Sequence, residues 1–287
     1  MIFSHTKKRV LIGIRYKVLF LFIAIVNSYF GQVIDSLPWI QVGKEAYYCE
    51  IDAPQKSILG DSKLTLVKIN PSFSRFELKS ATIHNQNIPL PVNVWADTFG
   101  FDFVVNAGMY DLLKPLASKG FFKVGNQFNN QQMNTSYNGV FVIDNEGVGV
   151  IDLKCNTVFD LRKQHSCFQG MRMLDCDGEK MDWNKKKQSC SMLVSSTDRQ
   201  GNIYFILSRS PYLHATFIDF LKMLPIEFRT TIYLEGGPET SLYLKTPTGT
   251  IEKVGSYVSK SYENDNNNTF WRLPNIIGVK FSEINQR

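Results

Sequence analysis

Apolar and polar positions alternate or cluster over strand lengths along most of the chain. Residues 46–51 (Ala-Tyr-Tyr-Cys-Glu-Ile) and 63–69 (Lys-Leu-Thr-Leu-Val-Lys-Ile) have the β-branched and aromatic content of strands. Asn70-Pro71-Ser72 is a turn. Residues 73–78 alternate again, so 39–94 predicts a meander of antiparallel strands. An apolar strand at 101–105 closes on Asn106-Ala107-Gly108-Met109-Tyr110-Asp111. The stretch 120–134 is rich in Asn and Gln and predicts a long loop. Its amides, with Phe121, Phe122 and Phe128, suit sugar recognition, where amides bond hydroxyls and rings stack. Two hairpins follow: 138–143 with 148–151 around Asp144-Asn145-Glu146-Gly147, and 190–195 with 203–208 around residues 198–202.

Phe217, Phe220, Leu221 and Leu224 fall at i, i+3, i+4 and i+7, which predicts a helix with a core-facing stripe. Thr216 with Asp219 resembles a capping pair, and Pro225 ends the helix. The strand at 203–208, this helix and the strand at 230–234 form a βαβ-like unit. Parallel neighbours here would bring Ser208, Arg209 and Glu235 to one rim of the sheet. A last strand covers 276–281. The fold class expected is α+β: a mixed, mostly antiparallel sheet with a few packing helices in a single domain.

The end of the strand at 230–234 carries the strongest candidate chemistry. Thr230-Thr231-Ile232-Tyr233-Leu234 runs into Glu235-Gly236-Gly237-Pro238, then Thr240 and Ser241. Gly admits positive φ and Pro cannot continue a ladder, so the strand stops at Glu235. A carboxylate fixed there beside approachable backbone can be an acid, a nucleophile, a metal ligand or a sugar-hydroxyl acceptor. The bland alternative is a β-turn with a surface Glu. Arg172 lies in the apolar stretch 169–174, where an unpaired charge is costly, so it is expected to meet a carboxylate or a ligand in the cleft of Glu235. The alternative is an edge strand with a solvated Arg.

Composition changes the picture at the N-terminus. Lys7, Lys8, Arg9, Arg15 and Lys17 precede an apolar run at 18–26, with Gly31-Gln32 as the expected cleavage point. That is the pattern of a secretory signal peptide over 1–31, and the run is short of the roughly 20 residues of a membrane span. The domain would then be 32–287. Membrane association would come only through an uncleaved leader. The net charge is +6, from 32 Lys and Arg against 26 Asp and Glu, and the leader holds five of those bases and no acid. The rest is nearly neutral and carries no sustained basic patch, which argues against a nucleic-acid partner. Export to the periplasm or cell exterior permits disulfides, with Cys167/Cys176 and Cys155/Cys190 as candidate pairs among five Cys. No CxxC occurs. No cofactor is identified, and no ligand spacing marks a metal, though a divalent ion could replace part of the chemistry.

Four motifs carry a resemblance. Asn106-Ala107-Gly108-Met109-Tyr110, the run from Asn138 to Asp144, Tyr233-Leu234-Glu235-Gly236-Gly237 with Ser241-Leu242-Tyr243, and the run from Leu273 to Val279 come in the order of the phosphodiester glycosidase family. Gln169-x-x-Arg172-Met173-Leu174-Asp175 and Ser208-Arg209-Ser210-Pro211-Tyr212 resemble its exported bacterial branch. The similarity spans about residues 40–281. The family often has Asp at the position of Glu235, and Glu is one methylene longer. The resemblance implies an α+β domain that cleaves a sugar from a phosphodiester-linked or cell-surface glycan substrate.

On that reading Glu235 carries the chemistry and Asp111 is the candidate second carboxylate. Arg172 and Arg209 would bind phosphate, and Asn106 and Asn138 would orient sugar hydroxyls. Gly108, Gly139, Gly236 and Gly237 would allow close approach, with Ser208, Thr240 and Ser241 contributing hydroxyls. Two other classes fit the same residues: a carbohydrate-binding protein of the same fold without turnover, and a scaffold with no sugar site. Sugar binding without product release would separate the first of these from an enzyme.

Overall fold

A computed structural model describes residues 36–111, 114–183 and 187–283. The leader expected over 1–31 lies outside the described residues.

Strands dominate. The chain runs through β1 (Ile40–Gly43), β2 (Ala46–Asp52), β3 (Lys63–Ile69) and β4 (Ser74–Ser80), then helices α1 (Ala81–His84) and α2 (Val92–Phe99). It continues through β5 (Phe103–Asn106), β6 (Tyr110–Asp111), β7 (Lys114–Ser118), β8 (Phe122–Val124), β9 (Gln127–Asn130), β10 (Gly139–Ile143) and β11 (Val148–Asp152). Then come β12 (Ser166–Leu174), β13 (Ser189–Asp198), β14 (Ile203–Leu213), α3 (His214–Met223), β15 (Phe228–Gly236), β16 (Ser241–Thr246), β17 (Gly249–Val254) and β18 (Asn275–Phe281).

The principal path of the large sheet is β1-β2-β3-β14-β13-β15-β12-β10-β11, with β8 and β9 branching from β12. A second sheet is ordered β17-β16-β5-β18-β4, and β6 pairs β7 in a ribbon. Every strand pair with a defined register is antiparallel, as in β2/β3, β13/β15 and β18/β5. The expected meander is corrected at one place. After β3 the chain leaves the large sheet, and β4 joins the edge of the second. Alternation in sequence marks both strands but does not say which sheet each enters.

The two sheets share one apolar core. Phe103 and Phe205 meet at 5.0 Å between ring centroids, and Phe141 stacks on Phe168 at 5.6 Å. Strand β5 is buried on both faces, which explains its unbroken apolar run. Phe103 and Val105 enter the inter-sheet core, while Val104 packs with Trp95 of α2 and Phe101 on the other face.

The helix α3 buries Phe217, Phe220 and Leu221, with Leu224 at its C-terminal end. Its N-terminus has no side-chain cap, and Asp219 pairs instead with Lys180 at 2.6 Å. It links β14 to β15, which run in the same direction but are not neighbours. Strand β13 lies between them, antiparallel to both. Ser208, Met192 and Gly236 form one row across the three strands, but β14 runs on past Ser208 to Leu213, so Ser208 lies within its strand and the expected shared rim is corrected: Glu235 alone of the two stands near a strand end.

The stretch expected as a loop at 120–134 contains the β8/β9 hairpin. Asn129 accepts from the Ser118 amide at 2.7 Å and donates to Leu116 O at 2.6 Å, while Asn130 donates to Ser118 O at 2.8 Å. Phe121 and Phe122 are fully buried, so those rings are core and not a stacking surface for sugar. The disulfide also differs from both expected pairs: Cys155 joins Cys176, linking the loops after β11 and β12. Cys167 and Cys190 lie buried within β12 and β13.

Candidate functional site

Glu235 sits next to last in β15, where a bulge re-aims the strand. Tyr233 lies opposite Val194, but Glu235 lies opposite Leu193, so β15 advances two residues while β13 advances one. Leu193 belongs to the inter-sheet core, and directly opposed residues share a face. The bulge therefore puts Glu235 on the inter-sheet side near the end of β15, a use of bulges frequent beside active sites.

The chain then crosses from the large sheet to the second. A turn through Gly237, Pro238 and Glu239 joins β15 to β16. Gly237 takes φ +77°, a left-handed conformation that glycine adopts without strain. Asn106, at the end of β5, holds this crossover. Its Nδ2 donates to Glu239 O at 2.7 Å, and its Oδ1 accepts from the Ser241 amide at 2.8 Å. Ser241 Oγ donates to Glu239 O at 3.0 Å. Asn106 and Ser241 are both engaged in shaping the turn.

Glu239 brings a second carboxylate, which the sequence reading passed over. The Tyr110 hydroxyl donates to its Oε1 at 3.3 Å. Burial pushes the Glu235 carboxyl up to about 8, and the charge of Glu239 adds to that, against the opposing Gly236 N–H and Lys119. Burial also raises Glu239, opposed by its own backbone N–H and the Tyr110 hydroxyl. Tyr110 and Tyr137 are pushed up by burial, Tyr110 next by Glu239 and Glu235, Tyr137 next by Glu235. Two carboxyls in one half-buried site cannot both ionise cheaply, so the pair holds a proton at neutral pH, mainly on Glu235.

Gln169 of β12 braces the segment from Phe121 to Tyr137. It is buried, accepts from the Phe121 and Asn134 amides at 3.0 and 2.9 Å, and donates to Asn134 O and Tyr137 O at 3.1 and 2.7 Å. All its bonds go to backbone, so it sets the path of 121–137. Its place in the Gln-x-x-Arg motif was the available signal.

Other expected site residues have structural employment. Arg172 meets a carboxylate, but that of Asp152, at 2.6 Å. The pair adjoins a cavity of about 660 Å³ lined by Asp152, Cys155, Cys176 and Arg229, whose lining does not include Glu235. Arg209 pairs with Asp265 at 2.8 Å and donates to the carbonyls of Val254, Asn267 and Asp265, clamping the loop after β17. Neither guanidinium is held for a phosphate. A Cβ at Gly139 would collide with Ile232, and one at Gly236 with the Tyr233 hydroxyl and Cys190, so both glycines answer close packing. Gly108 takes φ +76° with the Phe168 ring 3.0 Å from where its Cβ would stand. Ser208 is buried and donates to Ser210 O at 2.9 Å, and Asn138 donates to Thr135 O at 3.4 Å. Thr240 is buried, and its hydroxyl makes no hydrogen bond among the described residues. Asp111 follows Tyr110 in β6, opposite Lys114. Acidic groups near Cys155 and Cys176 offer a metal no thiolate, because those sulfurs bond each other.

No protein-family model matches the sequence, and no curated relative does. Solved structures do. The catalytic domain of zebrafish N-acetylglucosamine-1-phosphodiester α-N-acetylglucosaminidase, auto-inhibited by its pro-peptide, superposes with TM-score 0.54 at 14% identity, over 84% of this chain and 87% of that one. The two share a fold. A hypothetical protein from Synechocystis matches with TM-score 0.54 at 14% identity, over 85% of this chain. This chain spans 64% of the Synechocystis one. Likeness at that identity establishes architecture and leaves the chemistry to the residues themselves.

Proposed function

We propose that the protein is a glycoside hydrolase that cleaves a sugar from a phosphodiester-linked or cell-surface glycan substrate, with Glu235 as general acid. The carrying observation is the carboxyl pair: Glu235 is pushed up to about 8 beside Glu239, at the rim where the chain crosses between sheets. Glycoside hydrolysis commonly needs two carboxyl groups in different protonation states. Glu235 gives its proton to the departing oxygen as the C1–O bond breaks. Glu239 supplies negative charge for an oxocarbenium-like transition state; water then adds at C1, its hydroxyl completing the sugar and its other proton returning to Glu235. The likeness to the zebrafish N-acetylglucosamine-1-phosphodiester α-N-acetylglucosaminidase domain motivates the phosphodiester. The same reading takes the protein as exported, on the leader-like pattern of residues 1–31.

The test is release of free sugar from a panel of aryl glycosides and sugar phosphodiesters. The parent should release sugar from at least one, and Glu235→Gln should lower turnover about 10²-fold or more, the usual cost of losing a positioned acid. Release by neither, or equal release by both proteins, sinks the proposal.

A further inference from the structure

We propose that Lys119 is the cation that holds the anionic phosphate of the substrate; this rests on the glycosidase reading above. A sugar phosphodiester brings a negative charge toward Glu239, and something must offset it. Arg172 and Arg209 are committed to Asp152 and Asp265. Lys119 is exposed, and among the described residues it makes no ion pair.

Its backbone is fixed from several sides. The Lys119 amide donates to Met109 O at 3.0 Å, one residue from Tyr110. Asn134 donates to Lys119 O at 3.3 Å. Ser118 before it is bonded by Asn129 and Asn130. Gly120 after it packs so closely that a Cβ would stand 3.2 Å from the Tyr137 ring and 3.0 Å from Gln169. A four-carbon stem with a mobile ammonium on such a corner suits a phosphate that arrives with the substrate. The ammonium also acts on the site, because its charge opposes the upward shift of Glu235.

The experiment compares the parent, Lys119→Gln and Lys119→Arg on a sugar phosphodiester and on a neutral aryl glycoside of the same sugar. The ratio of kcat/KM for the phosphodiester over the neutral substrate should fall roughly tenfold in Lys119→Gln, as expected for one lost charge-assisted bond, and largely recover in Lys119→Arg. Glu239, Tyr110, Tyr137 and the Gly236 amide still face Glu235 in the variant. Losing Lys119 should therefore move the alkaline limb on the neutral substrate upward. An unchanged ratio, or equal loss on both substrates, overturns the assignment. Calorimetric binding of the sugar phosphodiester to Glu235→Gln, with and without Lys119→Gln, decides it separately. Weaker binding in the double variant supports Lys119, and equal binding overturns it. Turnover of neither substrate by the parent would count against the glycosidase reading alone.

Discussion

At Glu235 a carboxyl is held protonated well above its ordinary value of 4.5, up to about 8, chiefly by burial and then by Glu239. This has a signed consequence for stability. Below about pH 4.5 both folded and unfolded chains hold the proton. Between about 4.5 and about 8 only the unfolded chain gives it up, so the contribution of this group to stability falls as pH rises through that window. Glu235→Gln should flatten the fall, measured as urea unfolding at about pH 5 and about pH 8. A slope identical to that of the parent would mean that Glu235 titrates normally. Glu235 was legible in the sequence because a strand stops on it. Glu239 stood four positions on, in plain view, but the Gly-Gly-Pro run suggested only a turn. What pairs the two carboxyls is the crossover between sheets, and one strand's pattern does not encode it.

Among the elements, β3 and the β10/β11 and β13/β14 hairpins followed from alternation and turn residues, and α3 from its stripe. The β8/β9 hairpin did not, because its amide-rich strand is held by Asn129 and Asn130 bonding to the Ser118 backbone. The direction of β14 and β15 was readable from the helix between them, but the insertion of β13 was not. Arg172 shows the same limit. Its need for a carboxylate was predictable, but its partner comes from β11. That pair joins β11 to β12 with Asp152 wholly buried and the Arg172 side chain 14% exposed. Arg172→Ala should destabilise the fold by about 3 kcal/mol, because it strands a buried charge. Replacing Asp152 by Asn in the same chain should recover part of that loss. Denaturant midpoints check both, and a loss under about 0.5 kcal/mol would mean that water reaches Asp152 freely.

For the molecule as a whole, two sheets pack through one aromatic core, and β15 ends at its rim. The chain crosses at that rim from β15 to β16, and Glu235, Glu239 and Tyr110 gather there. The leader-like segment belongs to this scale too. It should be removed on export, so N-terminal sequencing of secreted protein should begin near Gln32, and retention of Met1 in a membrane-bound form would refute it. The central claim is that Glu235 acts as a proton donor. Its most direct test is the pH dependence of kcat/KM on a cleaved sugar phosphodiester, for the parent and for Glu235→Gln. The account predicts that the parent loses activity as pH rises through about 8 and that Glu235→Gln is slower by about 10²-fold with that limb gone. A variant that keeps near-full turnover, with the same alkaline limb as the parent, would contradict it.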